Sequence, residues 1–362
     1  MKKIISLFIL LYCLCYSLSA IEIKQLREIT LSHDQDAFIE KPGSFIVTVD
    51  GMFIVFDSKA SNIKVYDGTG KLVNIFGRKG LGPDEFVQPY LSAYKEPFIV
   101  IGDFGRKTFF IYKRFGKNSF KIVQKLFLRV MCYDLHFIDD AKLLIAGYKV
   151  GKDRKEYNLY EYDFKNQNYE FILTSESSYG LESHKVYLKK YSDRIRYIGG
   201  LQYCDFAEDS IYLVWTGDLK IIKVDRKTKK YTFFGQKTGN YVQPYITPEI
   251  RKAYHERNHR LLYKFDNDMS YVKDIFVLTS EKVGVVYVGP LKKDKGISVM
   301  LQLYTVNGAF ISEFKVLNSN ASHQFEIFSF FIKDKNLLYI MDTYTSKEFD
   351  QFYKIHEFRI EE

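Results

Sequence analysis

The stretch SFIVTVDGMFIVFDSKASNIKVYDGTGKLVNIFG, Ser44 to Gly77, holds four short apolar runs. They are separated by Asp50-Gly51, by a polar segment at Asp57–Asn62 and by Asp67-Gly68-Thr69-Gly70. Runs this short, rich in β-branched and aromatic residues and broken by Asp/Gly turns, read as strands joined by hairpins. The second run, FIVFD (Phe53–Asp57), recurs along the chain as FIVIGD (Phe98–Asp103), LLIAG (Leu143–Gly147), IYLVW (Ile211–Trp215), VGVVYVG (Val283–Gly289) and LLYIMD (Leu337–Asp342). An apolar strand precedes each copy, namely SFIVTV, YLSAY, YDLHFI, CDFA, VKDIFVL and FEIFSFFI. A polar hairpin follows each of the first five. The sixth unit ends after FYKIHEFRI and lacks its fourth strand, while IEIKQLREITL, Ile21 to Leu31, is left over at the other end. The pattern predicts an all-β chain: a six-bladed β-propeller whose last blade is completed by the N-terminal strand, leaving no open sheet edge at the ring joint.

The segment FGRKGLGPDEFVQP, Phe76 to Pro89, leads from the first unit into the second. Gly77, Gly80, Gly82, Phe86 and Pro89 stand in a Gly-x-x-Gly-x-Gly-x-x-x-Phe-x-x-Pro pattern, and FGQKTGNYVQP from Phe234 is a worn copy. This resembles the blade-joining segment of NHL-type six-bladed propellers. The resemblance implies the same fold over the mature chain; propellers of this type include binding scaffolds, lyases and lactonases. The glycines do not form a phosphate loop, since no Gly-Lys-Ser/Thr and no helix follows them.

The chain opens MKKIISLFILLYCLCYSLSA, with Lys2 and Lys3 before an apolar run and small residues at Ser17, Ser19 and Ala20. This predicts a signal peptide over residues 1–20, a mature chain 21–362, and an exported protein, periplasmic, cell-surface or secreted. Tyr12 and Leu14 stand where a lipobox needs a small residue before Cys13 or Cys15, so a lipid anchor is not favoured. No transmembrane segment is expected in the mature chain. Cys132 and Cys204 remain, too few for a disulfide scaffold, and are expected to be buried thiols. The net charge is +9, but basic and acidic residues are interleaved. That distribution argues against nucleic acid and for a protein, peptide or anionic glycan partner at the cell envelope, bound by a monomer.

In four-stranded antiparallel blades, the turns between strands one and two, and three and four, share one face of the ring. Here they are all short. The opposite face carries the long segments Lys149–Glu156, Thr174–Gly200, Gly235–Asp268 and Pro290–Gly296, and is the expected binding face. Two inserts supply candidate ligand contacts. One is basic and aromatic, with Tyr187, Arg194 and Arg196. The other, Pro248 to Phe265 between blades four and five, predicts a short helical insertion capped by Thr247, with Ile250, Tyr254, Leu261 and Phe265 as its apolar stripe and Tyr254 as a further ligand candidate.

That insert contains His255-Glu256-Arg257-Asn258-His259, an H-E-x-x-H pattern whose histidines would share one helix face as metal ligands. Arg257 and Arg260 crowd the motif with charge, and the only downstream acid in reach, Glu281, sits in a turn. A protease is therefore not expected. A second constellation is the aspartate on each of three inner strands, Asp134, Asp205 and Asp274. Aligned on the following turns, these carboxylates are expected to converge near the channel mouth on the long-loop face. There they would hold a hard divalent cation such as Ca, bind a cationic group, give one carboxylate a raised pKa for acid–base work, or cap backbone amides or pair with Lys/Arg from the covering loops. Asp57, Asp103 and Asp342 read as turn residues, and Trp215 as core. The sequence thus predicts an exported binding or interaction propeller that recognises its partner on the long-loop face. The other reading, implied by the resemblance, is a metal-dependent lyase or lactonase using the channel aspartates.

Overall fold

The computed structural model describes residues 21–34, 36–127, 130–174, 202–243, 248–292, 296–321, 327–344 and 352–361. The strands form six four-stranded antiparallel sheets. Blade 1 is β2 (Pro42–Val47), β3 (Phe53–Asp57), β4 (Asn62–Tyr66) and β5 (Leu72–Phe76). Blade 2 is β8 (Pro89–Lys95), β9 (Phe98–Asp103), β10 (Thr108–Arg114) and β11 (Phe120–Phe127). Blade 3 is β12 (Met131–Phe137), β13 (Lys142–Val150), β14 (Glu156–Asp163) and β15 (Asn168–Thr174). Blade 4 is β16 (Gln202–Ala207), β17 (Ser210–Trp215), β18 (Asp218–Asp225) and β19 (Tyr231–Phe234). Blade 5 is β20 (Tyr271–Val277), β21 (Lys282–Lys292), β22 (Gly296–Thr305) and β23 (Phe310–Ser319). Blade 6 takes β24 (Phe328–Ile332), β25 (Leu337–Tyr344) and β26 (Phe352–Glu361) from the chain's end, and β1 (Glu22–Thr30) from its start. β1 pairs with β26 from Glu22↔Glu361 to Thr30↔Lys354, as the strand arithmetic predicts. The innermost strands β2, β8, β12, β16, β20 and β24 each touch the next, and β24 returns to β2, so the ring is closed.

The core is divided rather than central. Buried side chains gather into six clusters, one at each interface between neighbouring blades. Both faces of each middle strand are therefore covered, which is why FIVFD and LLYIM read as continuous apolar runs rather than alternating ones. The outermost strands face solvent on one side, and β11 alternates in burial along its first five residues.

The Phe76–Pro89 linker adds a feature the sequence did not announce, a short parallel pair of β6 (Arg78–Lys79) and β7 (Glu85–Phe86). Phe86 is fully buried edge-on against Phe110 at 5.2 Å. Gly77 has φ 74°, and a Cβ there would lie 2.3 Å from the Phe86 ring. The glycine is thus required twice, for a left-handed backbone and for the ring's seat. In the worn copy Tyr241 takes the place of Phe86 and packs on Tyr287 at 5.3 Å.

Three expectations are corrected. Lys149–Glu156 is the tip of a hairpin and the described ends of Pro290–Gly296 are paired strand, with β13 paired to β14 as far as Val150↔Glu156 and β21 to β22 as far as Lys292↔Gly296. Asp342 lies inside β25, bonded to His356 Nε2 at 3.1 Å, rather than in a turn. The helical insertion is two helices, α1 (Pro248–His255) and α2 (His259–Asp268). Arg257 at φ 54° ends the first, and Asn258 caps the second through its Oδ1 to the Leu261 amide at 3.2 Å. His255 and His259 therefore stand on either side of a break, and the single helical turn that the H-E-x-x-H spacing presupposes is not formed. Ile250 and Phe265 are buried in the core between blades 5 and 6, with Leu261 packed beside them.

Candidate functional site

The inner strands line a central channel, and register sorts their channel-facing residues into levels. Asp134 lies opposite Ala146, Asp274 opposite Val286, Ser44 opposite Phe56, Ser92 opposite Ile101, Tyr203 opposite Val214 and Ser329 opposite Ile340. These partners are the fourth residues of the six repeated copies that begin with FIVFD, so the six side chains form one ring. Two residues nearer the short-turn face, a second level holds Tyr94, His136, Asp205, Phe276 and Phe331, among others. The three aspartates are thus not at one level, as the turn alignment predicted. Asp205 lies opposite Tyr212, the second residue of its copy, whereas Asp134 and Asp274 lie opposite the fourth of theirs; the bulges in β12 and β20 fall on the far side of their aspartates from the turn and leave this register unchanged. The aspartates also sit mid-strand, and so mid-channel rather than at its mouth.

All three carboxylates tie neighbouring blades together. Asp134 Oδ2 accepts the amide of Cys204 at 2.9 Å, and Asp205 Oδ2 accepts that of Val277 at 2.6 Å. Asp274 Oδ2 accepts the Ser329 hydroxyl at 3.1 Å. The brackets continue around the ring as a Ser44–Ser92 hydroxyl pair at 2.8 Å and as Tyr90 Oη donating to the Cys132 carbonyl at 2.8 Å. This capping role was among the sequence expectations for the aspartates. His136 Nε2 is 3.2 Å from Asp134 Oδ2.

The electrostatics follow from burial and crowding. Burial pushes Asp274 well above the usual carboxylate range, and the nearby Asp134 charge adds to the effect. Burial works against charge on His136, but the Asp134 charge and hydrogen bond, then Asp205 and Asp274, outweigh it and lift the imidazole to about 9. Burial lowers Lys273 to about 7 and raises Cys132 and Cys204 well above the usual thiol range. Both cysteines are buried free thiols. A cavity of about 430 Å³ occupies the channel, lined by Asp134, His136, Tyr203, Asp205, Lys273 and Asp274 among aromatic neighbours. Among the described residues, one group of metal-type donors has its ligand atoms within 4.8 Å of one another: Asp134, His136 and Cys204. Asp205 and Asp274 are not brought into that group.

A second, larger cavity of about 860 Å³ lies on the long-loop face between blades 2 and 3. Tyr90, Phe104, Lys107, Tyr148, Lys149 and Val150 line it. Phe104 and Val150 are each 51% exposed, a large apolar display for a loop end. Phe104 stands edge-on to Tyr90 at 5.6 Å, and Lys149 Nζ lies 4.0 Å from the Tyr169 ring centroid. Tyr90 also lines the channel cavity, so one side chain separates the two spaces.

No family model matches the sequence, and no curated protein matches it. Solved structures do match in shape. A member of the DUF4221 family from Bacteroides vulgatus has a TM-score of 0.62 at 12% identity, covering 94% of this chain and 98% of that one. A candidate exported protein from Bacteroides fragilis has a TM-score of 0.58 at 14% identity, covering 96% and 97%. The WD40 repeats of RRP9 reach 0.50 at 10% identity, covering 93% and 100%. The likeness is one of fold: at such identities a propeller architecture is shared, and nothing about the site residues carries over.

Of the residues singled out in the sequence, Asp134, Asp205 and Asp274 line the channel, while Tyr187, Arg194 and Arg196 lie outside the described residues. So do the side chains of Tyr254, His255 and His259, whose backbone belongs to α1 and α2. The sequence reasoning missed His136, Cys204, Tyr90 and Lys149. His136 was within reach of it, since it stands two residues beyond Asp134 and must share its strand face. Trp215 is buried, as expected.

Proposed function

We propose that this chain is an exported six-bladed propeller of NHL-like type that binds an anion-bearing glycan, peptide or protein partner at the cell envelope. The observation that carries the reading is the groove between blades 2 and 3. It lies on the long-loop face and combines exposed aromatic and aliphatic surface with Lys107 and Lys149. Aromatic faces and lysines are a combination suited to acidic saccharides and acidic peptides. Export is supported by the Lys2-Lys3 apolar leader and by the fold shared with the Bacteroides fragilis protein. Engagement of Asp134 and Asp205 in backbone brackets favours a structural channel wall over acid–base work by these groups.

The test is a panel of fluorescent acidic oligosaccharides and acidic peptides, each with its neutral counterpart, measured by anisotropy at two salt concentrations. At least one acidic probe is expected to bind, and Lys107→Gln/Lys149→Gln to weaken it by about tenfold or more, roughly 1.4 kcal/mol. Equal affinity for acidic and neutral probes, or an unchanged double variant, contradicts the reading.

A further inference from the structure

We propose that the channel wall between blades 3 and 4 binds a zinc-type divalent cation through Asp134, His136 and Cys204. The site rests on residues separate from the blade 2–blade 3 groove and stands whether or not that groove binds a glycan. Its ligands converge for a definite structural reason. Asp134 and His136 are two residues apart on β12, so both side chains face the channel. The Asp134 Oδ2 to Cys204 amide bond draws β16 against β12, which brings the Cys204 thiol behind the same carboxylate.

The donor chemistry selects the cation. Thiolate, imidazole and carboxylate together suit zinc and its first-row neighbours, and suit calcium or magnesium poorly, since those demand oxygen shells. This departs from the hard-cation expectation drawn from the three aspartates. Zinc arms of about 2.0–2.3 Å place tetrahedral ligand atoms about 3.3–3.8 Å apart. Asp134 and His136 already meet this at 3.2 Å, and the three ligand atoms all lie within 4.8 Å, about an ångström from closure. Charge also balances, because a dication on one carboxylate and one thiolate, with neutral imidazole, leaves no net charge in the wall. Each Asp134 oxygen retains a lone pair beyond the Leu135 and Cys204 amides it accepts. Entry is from the channel, where the His136 side chain keeps 32% of its surface exposed, and a fourth ligand would be drawn from that cavity. Three protein ligands and one open position are the arrangement of zinc sites that act on a bound molecule.

The experiment uses the purified, untagged chain loaded with zinc and passed through a desalting column, with bound metal counted by mass spectrometry. A parallel titration uses cobalt(II), whose bond to a thiolate gives a near-ultraviolet charge-transfer band. The expected result is one ion per chain, with a cobalt band that disappears in Cys204→Ser and persists in Cys132→Ser. His136→Ala, at a channel-facing position, is expected to weaken zinc binding by about tenfold or more while retaining the fold by circular dichroism, and so provides a test even if Cys204→Ser misfolds. Zinc below stoichiometry, a band that follows Cys132 instead, or binding unchanged by His136→Ala overturns the proposal and leaves only adventitious surface cations.

Discussion

Asp57→Asn is expected to lower the unfolding free energy by about 3–5 kcal/mol, a large share of the roughly 5–15 kcal/mol that holds a folded domain. Asp57 ends β3 and is fully buried. Its two oxygens accept the amides of Glu40, Lys41, Lys59 and Ala60 at 2.8–3.2 Å, and Lys64 Nζ lies 2.9 Å from Oδ2. One carboxylate therefore fixes the chain entering blade 1 and the turn leaving β3, and it neutralises a lysine that is itself buried. The amide replacement keeps the shape but leaves the Lys64 charge uncompensated, which is the costly way to break a buried pair. Adding Lys64→Met should recover most of the loss, because a buried pair replaced on both sides is close to neutral. Equilibrium urea unfolding of the single and double variants decides it. A loss below about 1 kcal/mol in the single variant would show that the bracket is not needed. Asp103 repeats the device in blade 2, accepting the amides of Val87, Gln88 and Arg106.

Removing β1, residues 22–30, is expected to drive the chain into larger oligomers or aggregate than the intact chain forms at micromolar concentration. β26 would then present its unpaired N–H and C=O groups as an edge between two blades. The blade 6–blade 1 core would lose Ile29, one of its buried aliphatics, worth about 1.5–3 kcal/mol. It would also lose the Arg27–Glu357 ion pair and the contacts of Glu28 with Lys354 and His356. Light scattering after size exclusion reads the outcome, and a synthetic peptide spanning residues 21–32 should restore the size of the intact chain when supplied in trans. A truncated chain with unchanged oligomeric state and melting temperature would show that the ring does not depend on this closure.

The strands were legible because blade physics imprints itself locally. Short runs such as FIVFD need no distant information, and a hairpin signalled by Asp67-Gly68 sets its own register. The spare strand at Ile21 and the missing one after FYKIHEFRI could be matched because a ring has to close. The channel was less legible, for two physical reasons. β16 pairs up to a two-residue turn at Ala207↔Ser210, whereas β12 and β20 stop pairing at Phe137↔Leu143 and Val277↔Val283, and counting back from the turns does not reveal this difference. The partnership of Cys204 with Asp134 and His136 is made across blades, and no periodicity within one strand reports it. The split between α1 and α2 was hidden because His255 and His259 have helical spacing, while the left-handed Arg257 between them belongs to a residue type with no preference for that conformation. The groove between blades 2 and 3 was anticipated only as a face. Its particular residues come from the turn after β9 and the hairpin tip of β13, which are remote in sequence.

The central claim is that a closed six-bladed ring binds its partner on the long-loop face, and hydrogen–deuterium exchange with and without the tightest acidic probe tests it most directly. Slowed exchange is predicted in Tyr90–Lys107 and Met131–Val150, the segments that line the groove. Protection concentrated instead at the short turns Asp50-Gly51, Asp139-Asp140, Glu208-Asp209 and Asp334-Lys335 would place the partner on the opposite face and contradict the account.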